Sequence, residues 1–253
     1  MGDKTLGVQS EVCSNLRMSS IEAFSVVVPT WNEARLLPPL VRALQASPSV
    51  GEVIVADAES EDGTAQVAVA AGARVVAGGR PAHGRNAGAR VAHRSLLLFL
   101  DADVQPTPEV LSQLAAGFAD PAVNAMHVRL MPLSGSWFVR LCYRMLDRHF
   151  QVCDRLGLPQ GLGALVAVRR EAFDRVGGFD ETVVAGEDSH FFRQLGRLVG
   201  GVVYRRELSI GVSARRFEME SPALFALKNI LWGALRLAGL RISIVPYRWQ
   251  RYP

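Results

Sequence analysis

Two aspartates, Asp101 and Asp103, close the apolar run LLLFL of Leu96 to Leu100, with one alanine between them. In an extended chain residues i and i+2 point to the same side, so the two carboxylates stand together if the strand continues through them. At a separation of about 6 Å and an effective dielectric near 20, their repulsion is about 3 kcal/mol. Either one of them is protonated or a cation sits beside them. A hard divalent ion such as Mg²⁺ or Mn²⁺, held by one or two carboxylates and by phosphate oxygens, suits such a pair. The plain alternative is a loop in which both acids face water, and a D-x-D triplet alone does not decide between them.

The elements that would position these acids alternate along the first half of the chain. FSVVVP (Phe24 to Pro29) and EVIVAD (Glu52 to Asp57) read as strands, with a helix through Leu36, Leu37, Leu40, Val41 and Leu44 between them. A helix over Ala65 to Ala71, a strand around Arg74 to Val76, a helix near Asn86 to Ala92 and the strand Leu96 to Leu100 follow. Continuous apolar strands alternating with helices predict an α/β fold, a mostly parallel sheet covered on both faces. Such sheets bind ligands beyond the carboxyl ends of their strands. Pro29, Thr30, Asp57 and Asp101 all fall at such ends, so three separated segments should meet at one crevice. After about residue 130 the rhythm breaks. SWFVRLCYRMLDRHF then reads as a long amphipathic helix ahead of the glycine-rich GLGALVAV.

Composition sets the outer bounds. With 253 residues, 49% hydrophobic and 21% charged, the chain can bury a substantial core and is neither disordered nor fibrous. Cys13, Cys142 and Cys153 are too few and too scattered for a disulfide framework or a zinc site, and read as free thiols. No G-x-G-x-x-G follows a strand and no Walker loop is present. The net charge of +4 is uneven: nine basic residues against three acidic ones lie between Arg205 and Pro253, leaving the remainder slightly acidic. Only Lys4 and Lys228 are lysines, so the positive charge is nearly all arginine, the residue that grips phosphate bidentately.

VVVPTWNEA, DAESEDGT, GRNAGA, LFLDAD and GGFDETVVAGED occur in that order. Together they resemble the family 2 glycosyltransferases with the GT-A fold, over Phe24 to about Arg197. The resemblance implies a Rossmann-like domain that takes a nucleotide-diphosphate sugar and passes the sugar to a hydroxyl acceptor with inversion. By the same resemblance Pro29, Thr30 and Glu33 lie beside the nucleotide, and Asp57 contacts base or ribose. Ala58 stands where the family carries a second acid. Asp62-Gly63-Thr64 reads as a turn and helix start. Asp101 and Asp103 would hold the metal, Mg²⁺ or Mn²⁺, with Asp101 also toward the ribose-phosphate. Arg80 and Arg85 are nucleotide-contact candidates, or else solvated loop charges. Glu187 and Asp188 match the family's E-D pair, in which the aspartate is the general base; Asp188 or Ser189 could instead cap a helix His190 to Leu198. Arg215 and Arg216 suit a pyrophosphate or acceptor phosphate, or a plain surface cluster, and Gln160 the acceptor side.

Residues 1–20 read as a loose leader, 21–212 as one catalytic domain (21–130 the donor half, 131–212 the acceptor half), and 213–253 as a basic amphipathic segment. Within that segment PALFALKNILWGALRLAGL (222–240) carries Lys228 and Arg236 on one narrow face, which suits a helix lying in anionic headgroups rather than crossing them, or else one packed on the catalytic core; Trp137 to Phe150, with Arg140, Arg144 and Arg148 at i, i+4 and i+8, has the same two readings. A cytoplasmic protein, peripheral at the inner membrane face, follows, with a lipid-linked or cell-envelope acceptor and no nucleic-acid partner. A nucleotide-sugar-binding membrane-peripheral module without turnover, and a nucleotidyltransferase on a similar fold, are the rival readings.

Overall fold

A computed structural model of the chain describes residues 23–184 and 186–215. Four strands, β1 (Phe24–Thr30), β2 (Val50–Asp57), β3 (Arg74–Ala77) and β4 (Leu96–Leu100), lie parallel and in the order β3-β2-β1-β4. They are joined by α1 (Leu37–Gln45), α2 (Thr64–Ala70) and α3 (Pro81–Val91). This is the alternation expected from the sequence, and β4 has the predicted bounds. The chain continues through β5 (Val104–Gln105), α4 (Pro108–Gly117), β6 (Ala125–Pro132), α5 (Trp137–Arg155), β7 (Leu165–Arg169), α6 (Arg170–Arg175), α7 (Glu187–Leu198) and β8 (Val202–Val212). These strands extend the same sheet in the order β4-β7-β6-β8-β5. β7 runs antiparallel to both β4 and β6, so the second half of the sheet is mixed. One sheet thus runs through both halves expected from the sequence, and the boundary drawn between residues 130 and 131 falls inside β6.

β4 shows why the strands are apolar throughout. All five of its residues are fully buried. Leu96, Leu98 and Leu100 enter the core under α1 and α4, and Leu97 and Phe99 enter the core under α3 and α7. The alternation is that of a strand covered on both faces, and each buried Leu or Phe contributes about 2 kcal/mol over its exposed state. The second core is aromatic: Phe99, Phe173, Phe179 and Phe191 pack ring to ring, with Phe179 and Phe191 stacked at 4.2 Å. Cys142 and Cys153 are free thiols.

Sheet polarity decides what meets at one edge. Thr30 pairs with Asp57, and Leu100 pairs with Leu165, the first residue of β7. Pro132 pairs with Val212 at the ends of β6 and β8. The segments following β1, β2, β4 and β8, and the segment preceding β7, therefore share a rim, where the carboxyl-end rule places a ligand.

His127 on β6 is held in an aromatic box by Tyr204 of β8 at 4.7 Å, Phe150 of α5 at 5.2 Å and Phe192 of α7 at 5.1 Å. Burial pushes its pKa down to about 3, so the native ring stays neutral where the unfolded one takes a proton. The folded pKa lies below the unfolded value, so stability is lost as pH falls below about 6.5. His127 should account for about 2 kcal/mol of lost stability between pH 7 and pH 5. Urea unfolding at the two pH values should show this loss, and His127→Phe should remove it.

Candidate active site

The loops after β1 and β2 are laced together. Asp57 accepts from the Ser60 hydroxyl at 2.6 Å and the Ser60 N–H at 3.0 Å, and the Thr30 hydroxyl lies 3.4 Å away. The Ser60 hydroxyl in turn accepts from the Asn32 N–H at 2.8 Å, and the Thr64 hydroxyl accepts from the Glu33 N–H at 2.8 Å. The Asp62 carboxylate receives the Ala34 N–H and the Thr64 hydroxyl. Burial works against its charge, but these bonds outweigh it and hold the carboxyl below its ordinary pKa. Asn32 and Glu59 adopt left-handed φ values of 55° and 56°. Thr64 is structural, as expected, but its hydroxyl anchors the neighbouring loop. Thr30 is 1% exposed, so a ligand entering the crevice would meet Asp57 and loop backbone before the Thr30 hydroxyl.

Arg85 is neither a solvated loop charge nor open to a nucleotide. α3 begins at Pro81, with Arg80 as its N-cap, five residues earlier than the sequence pattern placed it. Arg85 therefore sits inside the helix and is 3% exposed. Its guanidinium donates to Glu187 Oε1 at 2.8 Å and Asp101 Oδ1 at 3.0 Å, reaches the Gly163 carbonyl at 3.4 Å, and lies 5.3 Å from the Phe179 ring centroid. Burial disfavours its charge, but Asp101, Glu187 and Asp188 more than compensate and raise its pKa. Gly163 is required here, because a Cβ at that position would collide with the guanidinium. Arg80 remains exposed at the head of α3.

α7 starts at Glu187, and its N-cap is Gly186 at φ 74°. The alternative in which Asp188 or Ser189 caps the helix does not hold: both lie in the first helical turn, and a left-handed glycine occupies the N-cap. Asp188 accepts the Gly163 N–H at 2.8 Å and the Ser189 N–H at 2.6 Å. Burial, reinforced by Asp188, raises the Glu187 carboxyl above its usual range, with Arg85 opposing. Asn86, next to Arg85, donates to the Phe179 carbonyl and Glu181 at 2.8 Å each and accepts the Phe179 N–H at 2.9 Å. It pins the segment leading into α7, a role the sequence did not disclose. Gln160 turns its amide oxygen to His149, 3.1 Å away.

The side-by-side arrangement expected of Asp101 and Asp103 is also corrected. β4 ends at Leu100 and a turn covers residues 102 and 103, so the two acids do not share a strand face. Asp101 goes to Arg85, while Asp103 lies 3.7 Å from Arg215. Arg215 also forks onto Glu33, at 2.9 and 3.2 Å. Two arginines offset the repulsion within D-A-D. Arg216 and residues 222–240 lie outside the described residues. Among those described, no group of three or more His, Cys, Asp or Glu is placed to hold a metal by itself. The donor set still fits a Mg²⁺-like ion in kind: hard carboxylate oxygens, few in number, leaving coordination positions for phosphate and water.

Removing Arg85 should strand two half-buried carboxylates. Arg85→Met is expected to cost about 3 kcal/mol in urea unfolding, and Arg85→Lys less, since an ammonium keeps the charge but loses the fork. An unchanged midpoint for Arg85→Met would mean that its guanidinium does not hold the site.

The family profile for Glycosyl transferase family 2 matches residues 25–177. A pre-mycofactocin glycosyltransferase of Mycobacterium tuberculosis is 32% identical over 115 residues, 43% of this chain and 24% of that one, so the chain spans about a quarter of that relative's length. Mannosyl-3-phosphoglycerate synthase from Rubrobacter xylanophilus superposes with a TM-score of 0.61 at 19% identity, over 91% of this chain and 79% of that one. A mannosyltransferase from Pyrobaculum calidifontis, solved with GDP-Man and Mn²⁺, gives 0.58 at 23% identity, over 75% and 56%. The two structures establish a shared fold. With the profile running from β1 through α6, across more than half of its length, the chain belongs to glycosyl transferase family 2.

Proposed function

We propose that the protein transfers a sugar from a nucleotide-diphosphate donor to a hydroxyl acceptor, with inversion at the anomeric carbon and with the help of a divalent metal. The observation that carries this reading is the Arg85 bridge. One guanidinium spans Asp101, at the end of β4, and Glu187, beside Asp188 on α7. The donor-side acid and the E-D pair therefore line the same crevice. The family match supports sugar transfer, and the GDP-Man and Mn²⁺ complex of the Pyrobaculum protein supports the donor class and the metal.

In this reading Asp57 and the loop after β1 hold the nucleoside. Asp101 and Asp103 would hold the metal, which when bound neutralises charge growing on the diphosphate leaving group. Arg80, exposed at the head of α3, and Arg215, which meets Glu33 and Asp103, would bind phosphate oxygens. Asp188 takes the acceptor's hydroxyl proton. As the acceptor oxygen bonds to the anomeric carbon, the bond to the diphosphate oxygen breaks and its electron pair leaves with the diphosphate. The amides of Gly163 and Ser189 fix the orientation of Asp188, and each carboxylate oxygen retains a second lone pair for the proton. The lipid-linked or envelope acceptor expected from the sequence rests on residues 222–240, outside the described part of the chain.

Release of nucleoside diphosphate from UDP-, GDP- and dTDP-sugars, with Mn²⁺ and with chelator, tests the reading. Turnover should need the metal. Asp188→Asn should lower it about 10²- to 10⁴-fold while donor-induced thermal stabilisation is kept, and Asp103→Ala should lose both. Full turnover by Asp188→Asn would remove the base assignment. Stabilisation by a donor with no release, across a panel of hydroxyl acceptors, would leave a binding module.

A further inference from the structure

α5 has an outer face that bears no relation to the crevice. Val139, Phe150 and Cys153 point into the protein. On the opposite side of the helix Trp137, 73% exposed, is followed by Leu141, Met145 and Val152, with Leu156 just past the end, all exposed. Their spacing sets them in one row. A second row, Arg140, Arg144, Arg148 and Arg155, is exposed beside it. The acids of α5 lie on another flank, where Asp147 accepts the Tyr204 hydroxyl at 2.6 Å and Asp154 the Tyr204 N–H at 3.4 Å.

An apolar row alone would suit many occupants, but the arginine row narrows them. A second copy of the chain meeting this face across a two-fold axis would bring arginines toward arginines. An acidic surface with hydrocarbon beneath it satisfies both rows at once: guanidinium groups at phosphate level, their stems along the apolar side chains, and an indole at the boundary. The helix has 19 residues and is about 28 Å long. Among the described residues no helix is long and apolar enough to cross a membrane. We propose that α5 docks the protein on an anionic lipid bilayer, with Trp137, Leu141, Met145 and Val152 in the acyl boundary and the arginine row among the headgroup phosphates. The inference stands on α5 and does not depend on the sugar-transfer reading.

Flotation of the full chain with phosphatidylglycerol-containing vesicles, against phosphatidylcholine alone, tests it. The protein should float with the anionic vesicles and at least tenfold less with the neutral ones. Leu141→Glu/Met145→Glu and Arg140→Gln/Arg144→Gln/Arg148→Gln should each reduce anionic binding at least tenfold with an unchanged thermal midpoint. If either multiple variant fails to fold, Trp137→Ser alone should still weaken binding several-fold. Absence of flotation, equal flotation with both vesicle types, or full binding by the folded variants would overturn the proposal. So would a lipid-free dimer that Leu141→Glu/Met145→Glu dissolves, which would assign the face to a second copy of the chain.

Discussion

The guanidinium of Arg85, 3% exposed and lodged between Asp101 and Glu187, is the interaction on which the crevice depends. A charge at that depth persists only where acids and carbonyls meet it, since burial without partners costs several kcal/mol. That requirement has structural effects in three directions. It holds the end of β4 against α3, it sets the first turn of α7 over the strand ends, and it leaves no room for a side chain at Gly163. Gly163 in turn gives its N–H to Asp188. The aspartate is thus positioned by a chain of contacts that begins on a helix about a hundred residues earlier.

A second arginine ties together the loops after β1 and β4. Arg215, arriving at the rim after β8, joins Glu33 of the first loop to Asp103 of the fourth. The two acids of D-A-D, two residues apart in sequence, each meet an arginine of their own. Asp57, beside Thr30 at the end of β2, has its carboxylate oriented by Ser60 and the Thr30 hydroxyl. Electrostatic compensation and loop rigidity are supplied by the same few side chains, which suits a site where a charged ligand must meet a preformed surface.

How much of this could be read from sequence follows the range of the interactions. β1, β2 and β4 were legible because strands covered on both faces are apolar at every position. α3 was placed too late because it is buried through Ala82, Gly84, Ala87, Gly88 and Ala89, small residues that give a weak hydrophobic period. α7 was placed too late because Gly186 caps it without a side-chain oxygen. β6 was not recognised, its apolar run being broken by His127 and Arg129. The acids at the strand ends could be picked out, since topology alone brings strand ends together. Their partners could not: Arg85 and Glu187 are 102 residues apart, Glu33 and Arg215 are 182 apart, and no local pattern encodes such pairs.

The reversed direction of β7 has a consequence for how such a protein can diversify. The segments after β1, β2, β4 and β8 depart from a strand at the rim, whereas the stretch ending in Gly163 arrives at one. Its upstream end belongs to α5 and its downstream end to β7, and neither belongs to the βαβ units that frame Asp57 and Asp101. Residues inserted or deleted between Leu156 and Gly161 therefore change the far wall of the crevice without shifting a single register pair of β1, β2 or β3. That wall can change in length and shape while the strands that carry Asp57 and Asp101 keep their pairing.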